Sequence, residues 1–218
     1  DLDCGVDFSD LLAELAEIPG DYWLRFMTSH PKDASKELVD VMASSPKIAR
    51  HFHLPVQSGS TRVLNAMNRR YTREQYLEKA RYIKEKIPDA ALTTDIICGF
   101  PGETEEEFDR TLAFIRRCGF ARMHIFPYSR RPGTPADKMP SQCENAVKSR
   151  RAHEAQKIAD EMHRDFMRGS IGQTLPVLFE TEHDGVWTGH SDTYILVKAR
   201  GEALRGKICP VSIKLAQD

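Results

Sequence analysis

One segment constrains this chain more than any other. Ala91 to Cys98 is a run of mostly apolar and β-branched residues with no helical periodicity, and Gly99-Phe100-Pro101-Gly102-Glu103 halts it. Such a run reads as a strand covered on both faces. Thr104 and Glu107 then form a capping box, and Phe108, Leu112 and Ile115 fall on one side of the helix that follows. A doubly covered strand feeding straight into a helix is a parallel βα unit, and such units bind ligands at the carboxyl ends of their strands.

The alternation recurs along the chain. Ser9 is placed to cap a first helix carrying Leu11, Leu12, Leu15 and Ile18. A strand is predicted from Tyr22 to Thr28, and Ser35 opens a helix with Leu38, Val41 and Met42 inward. A second strand runs from Phe52 to Gln57 and ends in Ser58-Gly59-Ser60. A short helix holds Val63, Leu64 and Met67. Thr72 and Gln75 cap a longer one with Tyr76, Ala80, Ile83 and Ile87 on its apolar stripe. Met123 to Tyr128 is the fourth predicted strand. Four strands alternating with helices fit a flat doubly wound sheet or part of a βα barrel.

The pattern changes after Pro140. Ser141 and Glu144 suggest another capping box, and Val147, Ala155, Ile158, Ala159, Met162 and Phe166 mark a long helix ending at Gly169. Its mixed charges read as a solvated face. Short strands follow at Val177–Phe179, Val186–Thr188, Tyr194–Val197 and Ile208–Ile213, with His183-Asp184-Gly185 as a turn. The expected organisation is an α/β part over 1–140, a linking helix over 141–168 and a small β-barrel over 169–218.

Composition removes some possibilities. With 31 Lys+Arg against 32 Asp+Glu, binding to nucleic acid by bulk charge is excluded, although a local basic patch is not. No apolar run approaches the roughly 18–20 residues of a membrane helix, and Asp1-Leu2-Asp3 does not open a signal peptide. The start without Met is expected to lie inside a longer protein. The five cysteines, Cys4, Cys98, Cys118, Cys143 and Cys209, lie far apart and include no short chelating motif. An odd, scattered set suits a reducing cytosol.

Several polar groups fall on the predicted carboxyl edge. The glycines of Gly99–Glu103 permit close approach of backbone to a ligand, and Gln57 can hydrogen-bond a ribose or an amino-acid group. His51 and His53, two apart on one strand, face the same way, and with Asp95 and His124 they admit a zinc-hydrolase reading. Arg62, Arg69, Arg70 and Arg73 cluster around Tyr71. Arg130 and Arg131 extend this to a phosphate-contacting surface if the loops converge.

Five stretches carry a family resemblance in a fixed order: Arg25–Pro31, His53–Ser60, Met67–Thr72, Asp95–Thr104 and Tyr128–Ala136. They resemble the radical S-adenosylmethionine methylthiotransferases, and Gly172–Leu215, with Gly189-His190 and Tyr194, resembles the TRAM domain that ends those enzymes. The fold implied is a partial parallel βα barrel, four βα units of a radical-SAM barrel, followed by a small all-β TRAM/OB-like barrel. The activity implied is insertion of a methylthio group into a C–H bond of a modified adenosine beside the tRNA anticodon. The cofactors implied are S-adenosylmethionine and, in the intact enzyme, two 4Fe-4S clusters. The family's Cys-x3-Cys-x2-Cys motif does not occur in this sequence. The chain is therefore expected to be a C-terminal part that is inactive alone and lacks the cluster ligands.

The resemblance also assigns residues. Ser29, Gln57, Asp95, Ile97, Gly99, Phe126 and Pro127 would contact S-adenosylmethionine. Arg69, Arg70, Arg130, Arg131, His190, Tyr194, Lys198 and Arg200 would contact RNA. No metal ligand and no catalytic side chain is assigned. Asn68–Thr72 and the Arg130-Arg131 pair favour the threonylcarbamoyladenosine subclass over the isopentenyladenosine one. The partners implied are the tRNA anticodon stem-loop and the missing N-terminal part, with a monomeric, cytoplasmic enzyme and no membrane. A non-catalytic RNA-binding protein working through the TRAM-like module is the alternative from a different class.

Overall fold

The computed structural model describes residues 5–27 and 30–215. Helix α1 (Phe8–Glu17) is capped by Asp7 rather than by Ser9. The Asp7 carboxylate accepts the Ser9 and Asp10 N–H groups, while Asp10 accepts the Asp7 N–H. A carboxylate is worth more there than a hydroxyl because the helix N-terminus is electropositive. Ser9 is instead buried inside the first turn. Ser35 caps α2 (Lys36–Ser44) as expected.

The parallel sheet has three strands in the order β1 (His51–His53), β2 (Ala91–Cys98) and β3 (Arg122–Pro127). The strand expected from Tyr22 to Thr28 is reduced to one bridge, Leu24 to Ile48, within the described residues. Its partner stretch, 47–49, is too short to build a ladder, lying between Pro46 and β1. The second expected strand is also cut short. Pro55 cannot donate to the ladder, and pairing resumes only at Gln57, which bridges to Ile96 with φ at 72°.

Between these strands lie α3 (Thr61–Ala66), α4 (Arg73–Lys86) and α5 (Glu105–Cys118). Both capping boxes expected here are present, Thr72 with Gln75 and Thr104 with Glu107. The helix-facing side of the sheet buries Phe52, Leu54, Leu92, Ile96 and Met123 against Tyr76, Ile83, Phe108, Ile115 and Phe120. Tyr76 is fully buried, and its hydroxyl donates to the Leu54 carbonyl at 2.7 Å, so its one polar atom is satisfied.

Helix α6 (Asn145–Gly169) packs along β3 and is not a freely solvated linker. The capping box expected from Ser141 and Glu144 does not form. Ser141 sits at φ 58°, and the N-cap residue Glu144 makes no side-chain capping bond. Arg151, counted in the sequence as part of a solvated face, is 3% exposed.

The C-terminal strands are β4 (Thr174–His183), β5 (Val186–Ser191), β6 (Leu196–Arg200) and β7 (Ile208–Ser212). They form an antiparallel sheet in the order β6-β5-β4-β7. Asp184 and Gly185, both at positive φ, make the expected two-residue hairpin between β4 and β5. Leu175, Val177, Phe179, Ile195, Val197 and Ile213 form a second small core, with Phe166 and Met167 of α6 against it. Among the described residues, no helix is long and apolar enough to cross a membrane.

Candidate active site at the carboxyl edge of the parallel sheet

Parallel register places Asp95 beside His124 and Ile97 beside Phe126. Side chains alternate along a strand. The face opposite the helices therefore carries His51, His53, Thr93, Asp95, Ile97, His124 and Phe126. Polar residues would be costly on a covered face, and here all of them but Thr93 are at least partly exposed. Asp95 is held from both sides. Its Oδ1 lies 3.2 Å from His124 Nδ1 and its Oδ2 lies 3.6 Å from His53 Nε2. The hydroxyl of Thr93 lies 2.9 Å from His53 Nδ1 and 3.2 Å from His51 Nε2. The zinc reading brought these same groups together. They satisfy one another instead, and among the described residues no group of three His, Cys, Asp or Glu side chains could hold a metal ion.

The rim above this ledge is built from two loops. In the first, Gly59 packs so tightly on α5 that a Cβ there would lie 2.7 Å from Thr111 Cα. The Gly59 N–H donates to Thr111 Oγ1 at 3.1 Å. In the second, the Gly99 N–H donates to Glu103 Oε2 at 2.7 Å, and a Cβ on Gly99 would meet the Lys148 side chain at 2.3 Å. The glycine freedom at Gly99 is thus spent on close approach to α6. The Gly99 N–H is already bonded within the loop.

Arg151 closes this loop from α6. Its Nη1 donates to the Glu103 carboxylate at 2.8 Å and to the Glu103 carbonyl at 3.0 Å, and its Nη2 donates to Glu105 at 2.9 Å. Burial pushes the Glu103 carboxyl up, against the opposing pull of the Gly99 N–H and Arg151. The sequence signal for Arg151 was its place between Val147 and Ala155 on the apolar stripe, at steps of four. Beside the loop, Phe100 meets Tyr128 edge-on at 5.2 Å, and the Tyr128 hydroxyl is buried with no hydrogen-bond partner among the described residues. An unpartnered buried hydroxyl at a strand's carboxyl edge suits a polar ligand.

The four described cysteines do not converge. Cys98 and Cys118 are buried, and burial pushes both thiols up to about 12. Cys143 lies against the Phe100 carbonyl, and Cys209 belongs to the second sheet. The residues described here do not fit an iron–sulfur cluster.

The remaining predicted residues divide into separate places. Ser29 lies outside the described residues. Phe126 is half exposed on the ledge, and Pro127 follows it at the strand end. Arg130 is tied to Asp137 and to its carbonyl in the 3-10 turn Pro135–Lys138, which leaves Arg131 exposed beside it. Arg69 and Arg70 sit between α3 and α4. His190, Lys198 and Arg200 share the solvent side of the β5–β6 hairpin. Tyr194, at φ 67°, stacks on His190 at 4.7 Å and on His51 at 5.3 Å. The Arg25 guanidinium lies 5.0 Å from its ring.

A polar ledge at the carboxyl edge of a partial βα barrel agrees with sequence similarity to a known superfamily. Residues 2–115 match the Radical SAM superfamily, and the chain belongs to it. More particularly, it is 42% identical, over 98% of its length, to the tRNA-2-methylthio-N(6)-dimethylallyladenosine synthase of Pelotomaculum thermopropionicum, of which it covers 48%. It is 43% identical, again over 98% of its length, to the enzyme of that name from Desulfitobacterium hafniense, of which it covers 49%. The chain thus spans about half the length of the curated relatives it matches. Among solved structures it resembles coproporphyrinogen III oxidase of Escherichia coli, a radical SAM enzyme, with a TM-score of 0.53 at 14% identity. That match covers 76% of this chain and 45% of that one, and the likeness is one of fold.

These relatives overturn the preference for the threonylcarbamoyladenosine subclass, since their names specify dimethylallyladenosine. The structure supplies a reason why the Arg130-Arg131 pair misled. Arg130 is engaged by Asp137, so the pair is not a free recognition element.

Proposed function

We propose that this chain is the barrel-and-sheet part of a radical-SAM tRNA methylthiotransferase whose substrate is an N6-dimethylallyladenosine beside the anticodon. The observation that carries the reading is the Asp95 ledge, set between His53 and His124 at the carboxyl edge of the sheet. Similarity over 98% of the chain to synthases of that name supports it. Nothing specific to the structure favours a non-catalytic RNA-binding protein.

In this reading S-adenosylmethionine is held on the ledge below the two rim loops, and when bound it supplies the radical chemistry that activates an adenosine C–H bond. Gln57 and Asp95 offer the polar contacts. Ile97, Phe126 and Pro127 offer apolar surface to the nucleoside, and Gly99 holds the rim close to α6. Ser29 remains assigned by resemblance. The two 4Fe-4S clusters of the family have no place among the described residues. Arg69, Arg70, Arg131, His190, Tyr194, Lys198 and Arg200 face the tRNA, by phosphate pairing and ring stacking.

The test is the nucleoside content of tRNA. The full reading frame containing these residues, expressed in a host that lacks the synthase, is expected to yield 2-methylthio-N6-dimethylallyladenosine by mass spectrometry of digested tRNA. Unchanged N6-dimethylallyladenosine with the protein abundantly expressed overturns the proposal.

A further inference from the structure

A cleft of about 540 Å³ opens between α2 and α4 on the helical side of the parallel sheet, away from the Asp95 ledge. Its apolar wall is formed by Val39, Tyr71, Tyr82 and Ile83. Around them stand five cations, Lys32, Lys36, Arg70, Lys79 and Arg81, against two carboxylates, Glu78 and Glu85. In a chain with a net charge of −1, this is a strong local excess of positive charge.

None of the five cations has a carboxylate partner among the described residues. By contrast, Arg62, Arg73 and Lys86 nearby are all paired. Two of the five cations are held in place without being neutralised. Lys79 donates to the Ala34 carbonyl at 2.7 Å, and the Lys36 ammonium stands 5.3 Å from the Tyr82 ring. Like charges gathered at one cleft repel one another, and an anion placed among them relieves that cost.

We propose that the α2–α4 cleft is a phosphate-binding groove that seats the backbone of the RNA substrate outside the modification site. The proposal rests on the tRNA reading above and adds to it the surface that carries the stem. A free polyphosphate shares the chemistry, so the test uses both probes. Binding of a fluorescent anticodon-type RNA hairpin to the 218-residue chain is measured by anisotropy across a salt series, with tripolyphosphate as competitor. Lys36→Gln with Arg81→Gln is the cleft variant, and Lys157→Gln with Lys214→Gln is the control. Circular dichroism checks that each folds.

The cleft variant is expected to bind the hairpin about three- to tenfold more weakly, with a salt slope shallower by about two. Arg81→Lys should restore part of the loss, and the control should behave like the unaltered chain. Hairpin binding unchanged in the cleft variant overturns the proposal, as it would if the groove received an acidic protein segment instead. A loss of tripolyphosphate binding alone, with hairpin binding intact, overturns it in favour of a free anion. No hairpin binding by the unaltered chain also overturns it, while the nucleoside measurement tests the assigned reaction separately.

Discussion

Tyr194 stacks on His51 with ring centroids 5.3 Å apart and an interplanar angle of 27°, joining the β5–β6 hairpin to the first strand of the parallel sheet. Two charged contacts flank the stack. Arg50 Nε donates to Asp192 at 2.5 Å, and Arg25 donates to the Ser191 carbonyl. One turn of the second sheet thus fixes its position on the first.

The ion pair in this junction gives the first prediction. Asp192 is 5% exposed, whereas the Arg50 side chain is one-third exposed. Removing the arginine leaves a buried carboxylate without its partner, but solvent reaches the site on the Arg50 side. Arg50→Ala should therefore cost about 2 kcal/mol, below the range for a wholly buried pair. Urea unfolding read by tryptophan fluorescence measures it, and an unchanged midpoint would show that the junction contributes nothing.

The stack should also respond to acid. Burial, with Arg25 and His53 nearby, pushes the His51 imidazole down to about 4. An unfolded histidine takes its proton near about 6.5. The neutral ring's contribution is therefore complete above that value and is lost as the pH falls toward 4. His51→Phe should keep a stacking ring and flatten the stability profile across that window. A profile as steep as that of the unaltered chain would remove His51 as its cause.

A lower window belongs to Glu107. Its hydrogen bond to Arg62, against the opposing effect of burial, holds its carboxyl down to about 2. Stability from this group is complete above about pH 4.5 and disappears as the pH falls toward 2. Glu107→Gln should be less stable at neutral pH and lose less on acidification. Denaturation midpoints at several pH values decide it.

The rim loop depends on a buried pair. With Arg151 3% exposed and the Glu103 side chain 1% exposed, Arg151→Met leaves Glu103 charged and isolated, or protonated and poorly bonded. A loss of about 3–5 kcal/mol is expected. Glu103→Gln, which can still accept the Gly99 N–H, should cost less. Equal losses in the two variants would contradict the view that the isolated charge dominates.

Much of this fold was legible because local rules and tertiary packing agree. The β2 run from Ala91 to Cys98 and the Thr72 and Thr104 capping boxes needed only pattern and propensity. The first predicted strand, Tyr22–Thr28, failed because ladder length depends on a partner. Nothing in Tyr22–Thr28 shows that residues 47–49 offer a single bridge. Arg151 was missed because a charged residue on an apolar stripe looks like an interruption until its buried carboxylate partner, 48 positions away, is in view. Tyr194 was placed among RNA contacts, and its stacking on His51 arises from a tertiary approach that no local spacing records. The Asp95 ledge was only half visible. The alternation of β2 turned Asp95 to one side, but the parallel register was needed to set His124 beside it.

The ledge is the central claim, and Asp95→Asn tests it most directly. In the protein made from the full reading frame, this change keeps the side chain's shape and removes its charge. The expected result is loss of 2-methylthio-N6-dimethylallyladenosine by at least about tenfold, which corresponds to roughly 1.4 kcal/mol in the barrier, with hairpin RNA affinity unchanged. Product formed at the unaltered rate by D95N would contradict the assignment of this face as the reactive one.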